Sequence, residues 1–261
     1  MSETCILSET DERGVATLTL NRPEKHNAMN AALMTEMRRA IAELGADDNV
    51  RAVVLTGAGK SFCAGGDLNW MKDQQQKDRA GRIAESRQLA SMLAELNALP
   101  KPVIGRINGA AYGGGVGMAS ACDITIATEE ARFGLTEVRL GLIPATISPY
   151  VIARIGEANA RRVFLNARLF DAAFAREIGL VGKVVPASDL DDAVEEEISL
   201  ILNCAPGAVA RAKALIDYVS RHHGEDNYIY TADRLADAWE TAEAREGIEA
   251  FLNKGRPSWR Q

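Results

Sequence analysis

The chain has 261 residues, 47% hydrophobic and 25% charged, with a formal net charge of −6. This is ordinary globular composition, long enough to bury a sizeable core, so disorder is excluded, and the acid excess argues against a nucleic-acid partner, which needs a basic face. No apolar run approaches the ~20 residues of a membrane span, the opening MSETCILSETDERG is acidic where a leader would be basic, and Cys5, Cys63, Cys122 and Cys204 form no CxxC pair, so a soluble cytoplasmic protein with reduced thiols is expected.

Residues 15–20 (VATLTL) predict a strand stopped at Asn21-Arg22-Pro23. Asn30 is placed to cap a helix whose apolar stripe is Leu33, Met34, Met37, Ile41 and Leu44, with Gly45 at the C′ position. Residues 52–55 (AVVL) read as a strand buried on both faces, with two more over 102–107 and 124–127. Helices are expected over 80–99 and 113–121. The alternation predicts βαβ units and a mainly parallel sheet. From about Pro186 the pattern is helical only, over 190–202, 208–219 and one long helix near 228–252 with Leu235, Trp239, Ala242 and Phe251 on a stripe.

Three places can carry chemistry. Phe62-Cys63-Ala64-Gly65-Gly66-Asp67-Leu68 follows a strand, and its small residues let a ligand reach main-chain N–H donors; a plain turn would look similar. Asn108-Gly109-Ala110-Ala111-Tyr112-Gly113-Gly114-Gly115-Val116-Gly117 places three glycines at a helix start. That is costly unless the helix N-terminus faces an anion or the helix packs tightly, and both reasons can hold together. It is neither a P-loop nor a dinucleotide fingerprint, since no Gly-Lys-Ser/Thr follows and no GxGxxG is present. In Phe133-Gly134-Leu135-Thr136-Glu137-Val138-Arg139-Leu140-Gly141-Leu142-Ile143-Pro144, Glu137 stands among apolar residues. Desolvation there would raise its pKa and suit it to acid/base work, although it would equally pass for loop charge.

Together these segments resemble the enoyl-CoA hydratase/isomerase (crotonase) family. The resemblance also takes in Asn27-Ala28-Met29-Asn30, Cys122-Asp123, Ala175-x-x-x-Gly179-Leu180-Val181 and Glu246-Gly247-x-x-Ala250-Phe251, in family order over nearly the whole chain. It implies an α/β fold, a crotonase-type ββα spiral core over residues 1–200, and a C-terminal helical assembly segment over 201–261. The implied partner is an acyl-CoA substrate, with coenzyme A part of that substrate and no separate cofactor, metal, nucleic acid or membrane. The implied assembly is a homotrimer or a dimer of trimers.

By that resemblance the N–H groups of Gly66 and Gly114 match the oxyanion hole for a thioester enolate. Gly66, Asp67, Leu68 and Asn69 match the stretch along the pantetheine and adenine, and Lys25 and Arg22 are candidate partners of the CoA phosphates. Glu137 matches the second of the two family glutamates. The first falls on Gly117, a departure, so a two-carboxylate mechanism does not carry over whole. Gly117 is expected to leave a gap that admits water or a 3-methyl branch; the competing reason for a glycine there is helix packing. The segment from Glu137 to Tyr150 is similar to a bacterial branch of methylglutaconyl-CoA or carboxygeranoyl-CoA hydratases, which favours hydration. A Δ3,Δ2-enoyl-CoA isomerase using Glu137 alone, or a non-catalytic acyl-CoA-binding module, are the alternatives. A distal carboxylate on the substrate would want a cation, and Lys72, Arg87 and Arg139 are the candidates.

Overall fold

The computed structural model describes residues 4–260. β1 (Ile6–Thr10) and β2 (Val15–Leu20) form an antiparallel hairpin, and α1 (Ala31–Ala46) returns the chain to β3 (Ala52–Gly57), parallel to β2. The short β4 (Ser61–Cys63) leads into α2 (Leu68–Gln76) and α3 (Arg79–Ala98). Next come β5 (Val103–Ile107), β6 (Ala110–Tyr112) and α4 (Gly114–Ala121), followed by β7 (Ile124–Thr128), β8 (Arg132–Gly134) and α5 (Ser148–Phe164). β9 (Leu169–Asp171), α6 (Ala172–Glu177) and β10 (Lys183–Val185) complete the sheets. The remainder is helical: α7 (Leu190–Leu202), α8 (Pro206–Arg221), α9 (Glu225–Trp239) and α10 (Ala242–Leu252).

From β3 to β8 consecutive strands alternate between two sheets. One has the order β1-β2-β3-β5-β7-β10 and is parallel apart from β1; the other has the order β4-β6-β8-β9 and is parallel apart from β9. From β3 to α5 each repeat is two strands, one in each sheet, then helix, a ββα spiral; the first unit, β1-β2-α1, keeps both strands in the larger sheet. The larger sheet contains the four strands expected from sequence, β2, β3, β5 and β7, and two that were not expected, β1 and β10, at its edges. Every residue of β3 is buried, as a strand covered on both faces requires. One face packs with α1, α3 and α4 into the main core; on the other, Val15, Val54, Ile104 and Ile126 meet Leu190, Val194, Ile198 and Leu202 of α7.

Two expectations are corrected. Gly45 lies inside the last turn of α1, which ends at Ala46 with Asp47 in an extended conformation. The single helix near 228–252 is two, because Thr241 leaves the helix and its hydroxyl caps α10 by accepting from the Ala244 N–H. No helix among the described residues is long and apolar enough to cross a membrane. Burial pushes the Cys63 and Cys122 thiols up to about 12, as inert core thiols require, while Cys204 is exposed.

Candidate active site

Three neighbouring parallel strands of the smaller sheet end at one place. Gly66 follows β4 by three residues, Gly114 follows β6 by two, and Glu137 follows β8 by three. The carboxyl ends of parallel strands are where open α/β sheets place ligands, because the chain leaves each strand there in a loop. The two glycine segments touch: a Cβ on Gly65 would stand 3.1 Å from the Tyr112 carbonyl oxygen, and one on Gly113 3.9 Å from the Gly65 Cα.

Backbone pairing decides the direction of the Gly66 amide. Met29 N–H donates to the Gly65 carbonyl (2.7 Å) and Asp67 N–H to the Met29 carbonyl (2.8 Å), which makes Met29 and Gly66 a parallel bridge. In such a bridge the flanking residues bond the partner, so the Gly66 N–H points the other way. It meets no acceptor among the described residues. Gly114 is the first residue of α4, so its N–H has no intrahelical acceptor and carries the positive end of the helix dipole. Space requires glycine at 115, where a Cβ would overlap the Cys63 carbonyl oxygen, while at 114 a Cβ would meet the flexible end of Met29 at Cε. Close helix packing and free N–H donors coincide at this triplet.

Asp67 caps α2, its Oδ1 accepting from the N–H groups of Asn69 (2.8 Å) and Trp70 (3.4 Å), while its Oδ2 receives Arg22 Nη2 at 2.8 Å. Burial alone would raise this carboxyl, but the hydrogen bonds from Arg22, Asn69 and Trp70 outweigh it and hold it below the ordinary carboxylate range. Arg22 also donates to the Ala28 carbonyl. The expectation that Arg22 meets a CoA phosphate is thereby corrected: its guanidinium is turned inward and committed to the Gly66 turn. Lys25 is exposed on the adjoining 3₁₀ turn Pro23–Lys25, and Leu68 and Asn69 are exposed at the start of α2.

Glu137 opens the 3₁₀ turn Glu137–Leu140 and is half-buried, with Oε1 directed at Gly113, whose Cβ would stand 3.0 Å away. Its Oε2 is buried and has no partner, the only carboxylate oxygen in that condition among the described residues. Desolvation raises its pKa, opposed only by a hydrogen bond from its own backbone N–H. An unpaired carboxylate beside two unpaired amides is an arrangement for stabilising an oxyanion while moving a proton.

Gly117 does not leave the expected gap. A Cβ there would overlap Ile147 Cγ2 and stand 2.8 Å from Ile147 Cβ, with Leu93 Cδ1 at 3.6 Å. Packing is why this position is glycine. Ile147 entered the sequence reading only within the Glu137–Tyr150 stretch, and Trp70 and Met71 only as part of the same resemblance; none was placed beside a glycine, although Trp70 and Met71 side chains lie 3.5–3.7 Å from where a Gly66 Cβ would be. The Ile147 contact joins residues thirty apart in sequence, which no local pattern announces. Lys72, Arg87 and Arg139 are all exposed, and none bonds Glu137. A cavity of about 480 Å³ lies elsewhere, between the large sheet and α7; its arginines are engaged in the pairs Arg13–Glu195 and Arg106–Asp191, and it contains none of these residues.

The enoyl-CoA hydratase/isomerase family model matches residues 10–261. A short-chain-enoyl-CoA hydratase of Clostridium acetobutylicum is 35% identical over 246 residues, 93% of each chain. An enoyl-CoA hydratase structure from Shewanella pealeana superposes with a TM-score of 0.94 at 36% identity, covering 98% of this chain and 96% of that one. Pseudomonas aeruginosa AtuE superposes with a TM-score of 0.95 at 38% identity, covering 98% of this chain and all of that one. The chain belongs to the enoyl-CoA hydratase/isomerase family, and its ββα spiral is the crotonase fold. It is an enzyme of the enoyl-CoA hydratase type.

Proposed function

We propose that the protein hydrates a 2-enoyl-CoA thioester, with the thioester oxygen held by the N–H groups of Gly66 and Gly114 and the proton moved by Glu137. The observation that carries this is the unpartnered Glu137 Oε2 beside two amides that have no acceptor of their own. The Glu137 carboxylate takes a proton from water as the water oxygen bonds C3. Negative charge moves through C2 to the thioester oxygen, where each amide donor contributes about 2.7–4 kcal/mol of transition-state stabilisation. The protonated Glu137 then returns its proton to C2. One carboxylate thus balances the addition, and its raised pKa suits it to both halves.

A single carboxylate also suits the Δ3,Δ2-isomerase reading, in which Glu137 carries a proton between C2 and C4. Crotonyl-CoA and a 3-enoyl-CoA, each supplied in heavy-oxygen water, separate the two. Hydration consumes the conjugated thioester absorbance of crotonyl-CoA and incorporates the label; isomerisation builds that absorbance from the 3-enoyl substrate without label. Binding without either change supports an acyl-CoA-binding module instead. The similarity of the Glu137–Tyr150 segment to the methylglutaconyl-CoA branch extends the proposal to branched acyl groups, with 3-methylglutaconyl-CoA the first to test. The acting form we propose is a homotrimer or dimer of trimers, with coenzyme A entering only as part of the substrate.

A further inference from the structure

We infer that Glu85 is a positioning residue for the oxyanion hole: it holds the Trp70 indole over Gly66 and thereby fixes the direction of the Gly66 N–H. This rests on the reading of that N–H as an oxyanion donor, given above.

α2 begins two residues after Gly66, yet it contains no buried residue, so deep packing does not set its direction. Polar bonds to α3 do. Trp70 Nε1 donates to Glu85 Oε2 at 3.1 Å, and Lys77 Nζ, at the C-cap of α2, donates to Glu85 Oε1 at 2.6 Å. One carboxylate thus holds both ends of the helix, and the hydrogen bonds from Lys77 and Trp70 keep it below the ordinary carboxylate range. Arg82 also bonds α2, through the carbonyls of Gln74 and Gln75, but only at the far end.

The near end is where position matters. Asp67 accepts from the N–H groups of Asn69 and Trp70, so Gly66 is followed at once by the turn that carries the indole. The Trp70 ring folds back over that turn and packs on the main core, its Cζ3 3.6 Å from where a Gly66 Cβ would be, with Met71 Cγ at 3.5 Å beside it. Unlike Gly65, Gly66 has no positive φ, and unlike Gly115 it has no backbone atom crowding its Cβ position. Its backbone therefore takes its direction from its supports: the Met29 bridge along one edge and the Trp70 ring over the side-chain face. The ring is held in turn by its one polar atom, which ends on Glu85.

Glu85→Ala removes the acceptor at a half-buried position within α3, where alanine is a good helix former, so the fold should be kept. On crotonyl-CoA its kcat should fall by roughly 10–10²-fold, as small misplacements of a catalytic group cause. Glu85→Gln still offers the indole an oxygen and should stay close to the parent. Trp70→Phe lacks the N–H and should lose about as much as Glu85→Ala, and the two together no more than either alone. Infrared difference spectra of bound butanoyl-CoA, isotope-labelled at the thioester carbonyl, read the hole without turnover. The amide donors lower that stretching frequency in the parent; the lowering should shrink in Glu85→Ala and Trp70→Phe and return in Glu85→Gln. Parental kcat and carbonyl frequency in Glu85→Ala, with or without a lower Tm, overturn the positioning role, and so do equal losses in Glu85→Ala and Glu85→Gln. Failure of the underlying readings looks different. A parent that does not hydrate crotonyl-CoA leaves the carbonyl test in force, whereas a parent that leaves the carbonyl frequency at its free value removes the oxyanion hole and this inference with it.

Discussion

Glu137 concentrates the cost and the use of the site in one side chain. Its carboxyl is raised by desolvation, so the folded protein holds that proton more tightly than the unfolded chain does. The stabilisation this brings is fully present below the ordinary glutamate value of about 4.3 and is lost as pH rises through the raised folded value. At neutral pH the buried, unpaired carboxylate is a liability to the fold. Glu137→Gln is neutral throughout, so its Tm should exceed the parent's at neutral pH, with the margin shrinking as pH falls towards 4. Its kcat should drop by about 10²–10⁴-fold, the usual loss when a general acid/base is removed. In the parent the hydration rate should fall with pH through the same ionisation, since a protonated Glu137 takes no proton from water. Parental kcat in a normally folded Glu137→Gln protein would remove Glu137 from the chemistry.

At the scale of elements, the site is a product of the smaller sheet, and this was the least legible part of the sequence. Its four strands have three residues each, too short for an alternation of apolar and polar residues to declare itself. The sequence therefore offered Gly66, Gly114 and Glu137 as separate candidates without the strand pairing that brings their segments side by side. The central strands of the larger sheet were legible because residues 52–57 and 103–107 are longer, mostly apolar and each preceded by a helix. Gly117 was read from the identity of the missing residue, whereas its surroundings depend on Ile147 returning thirty residues later. The Asn21-Arg22-Pro23 turn was seen as a strand stop with a candidate phosphate-binding arginine, yet Arg22 bonds Asp67 and the Ala28 carbonyl, so it ties the β2 exit to the Gly66 turn. The pair is nearly buried, with side-chain exposures of 15% and 8%. Arg22→Met leaves Asp67 without its counter-charge and should cost about 3–5 kcal/mol by denaturant unfolding. A shift of about 1 Å in the Gly66 amide should lower kcat on the order of 10²-fold. A variant that loses stability but keeps parental kcat would show that the pair holds the fold without aiming the amide.

At the scale of the whole molecule, the C-terminal helices are fastened by polar contacts and leave apolar surface uncovered. Lys213 bridges α8 to Asp123 (2.7 Å) and the Lys101 carbonyl (3.1 Å), and Arg51 donates to the carbonyls of Leu202 and Cys204. Glu243 of α10 accepts from the Gly207 N–H and from Arg211. None of α8, α9 and α10 contains a buried residue, and Phe251 is 83% and Trp239 62% exposed. Trp259 folds back on α10, its ring 3.2 Å from where a Gly247 Cβ would be. Ile216, Tyr228, Ile229, Leu235 and Leu252 are also exposed, more aromatic and aliphatic side chain than a soluble monomer leaves to water. Closed cyclic assembly would cover it with the same surface of other copies. Sedimentation equilibrium at micromolar concentration should therefore return three or six chain masses, and Trp239→Asp combined with Phe251→Asp should shift the distribution to the monomer with unchanged far-ultraviolet dichroism. Because the proposed catalytic segments follow β4, β6 and β8, away from these helices in sequence, the dissociated variant should still bind acyl-CoA, and any loss of turnover would then report on how far assembly steadies the site. A parent that sediments as a stable monomer would overturn the assembly and leave the exposed face of α8–α10 to some other partner.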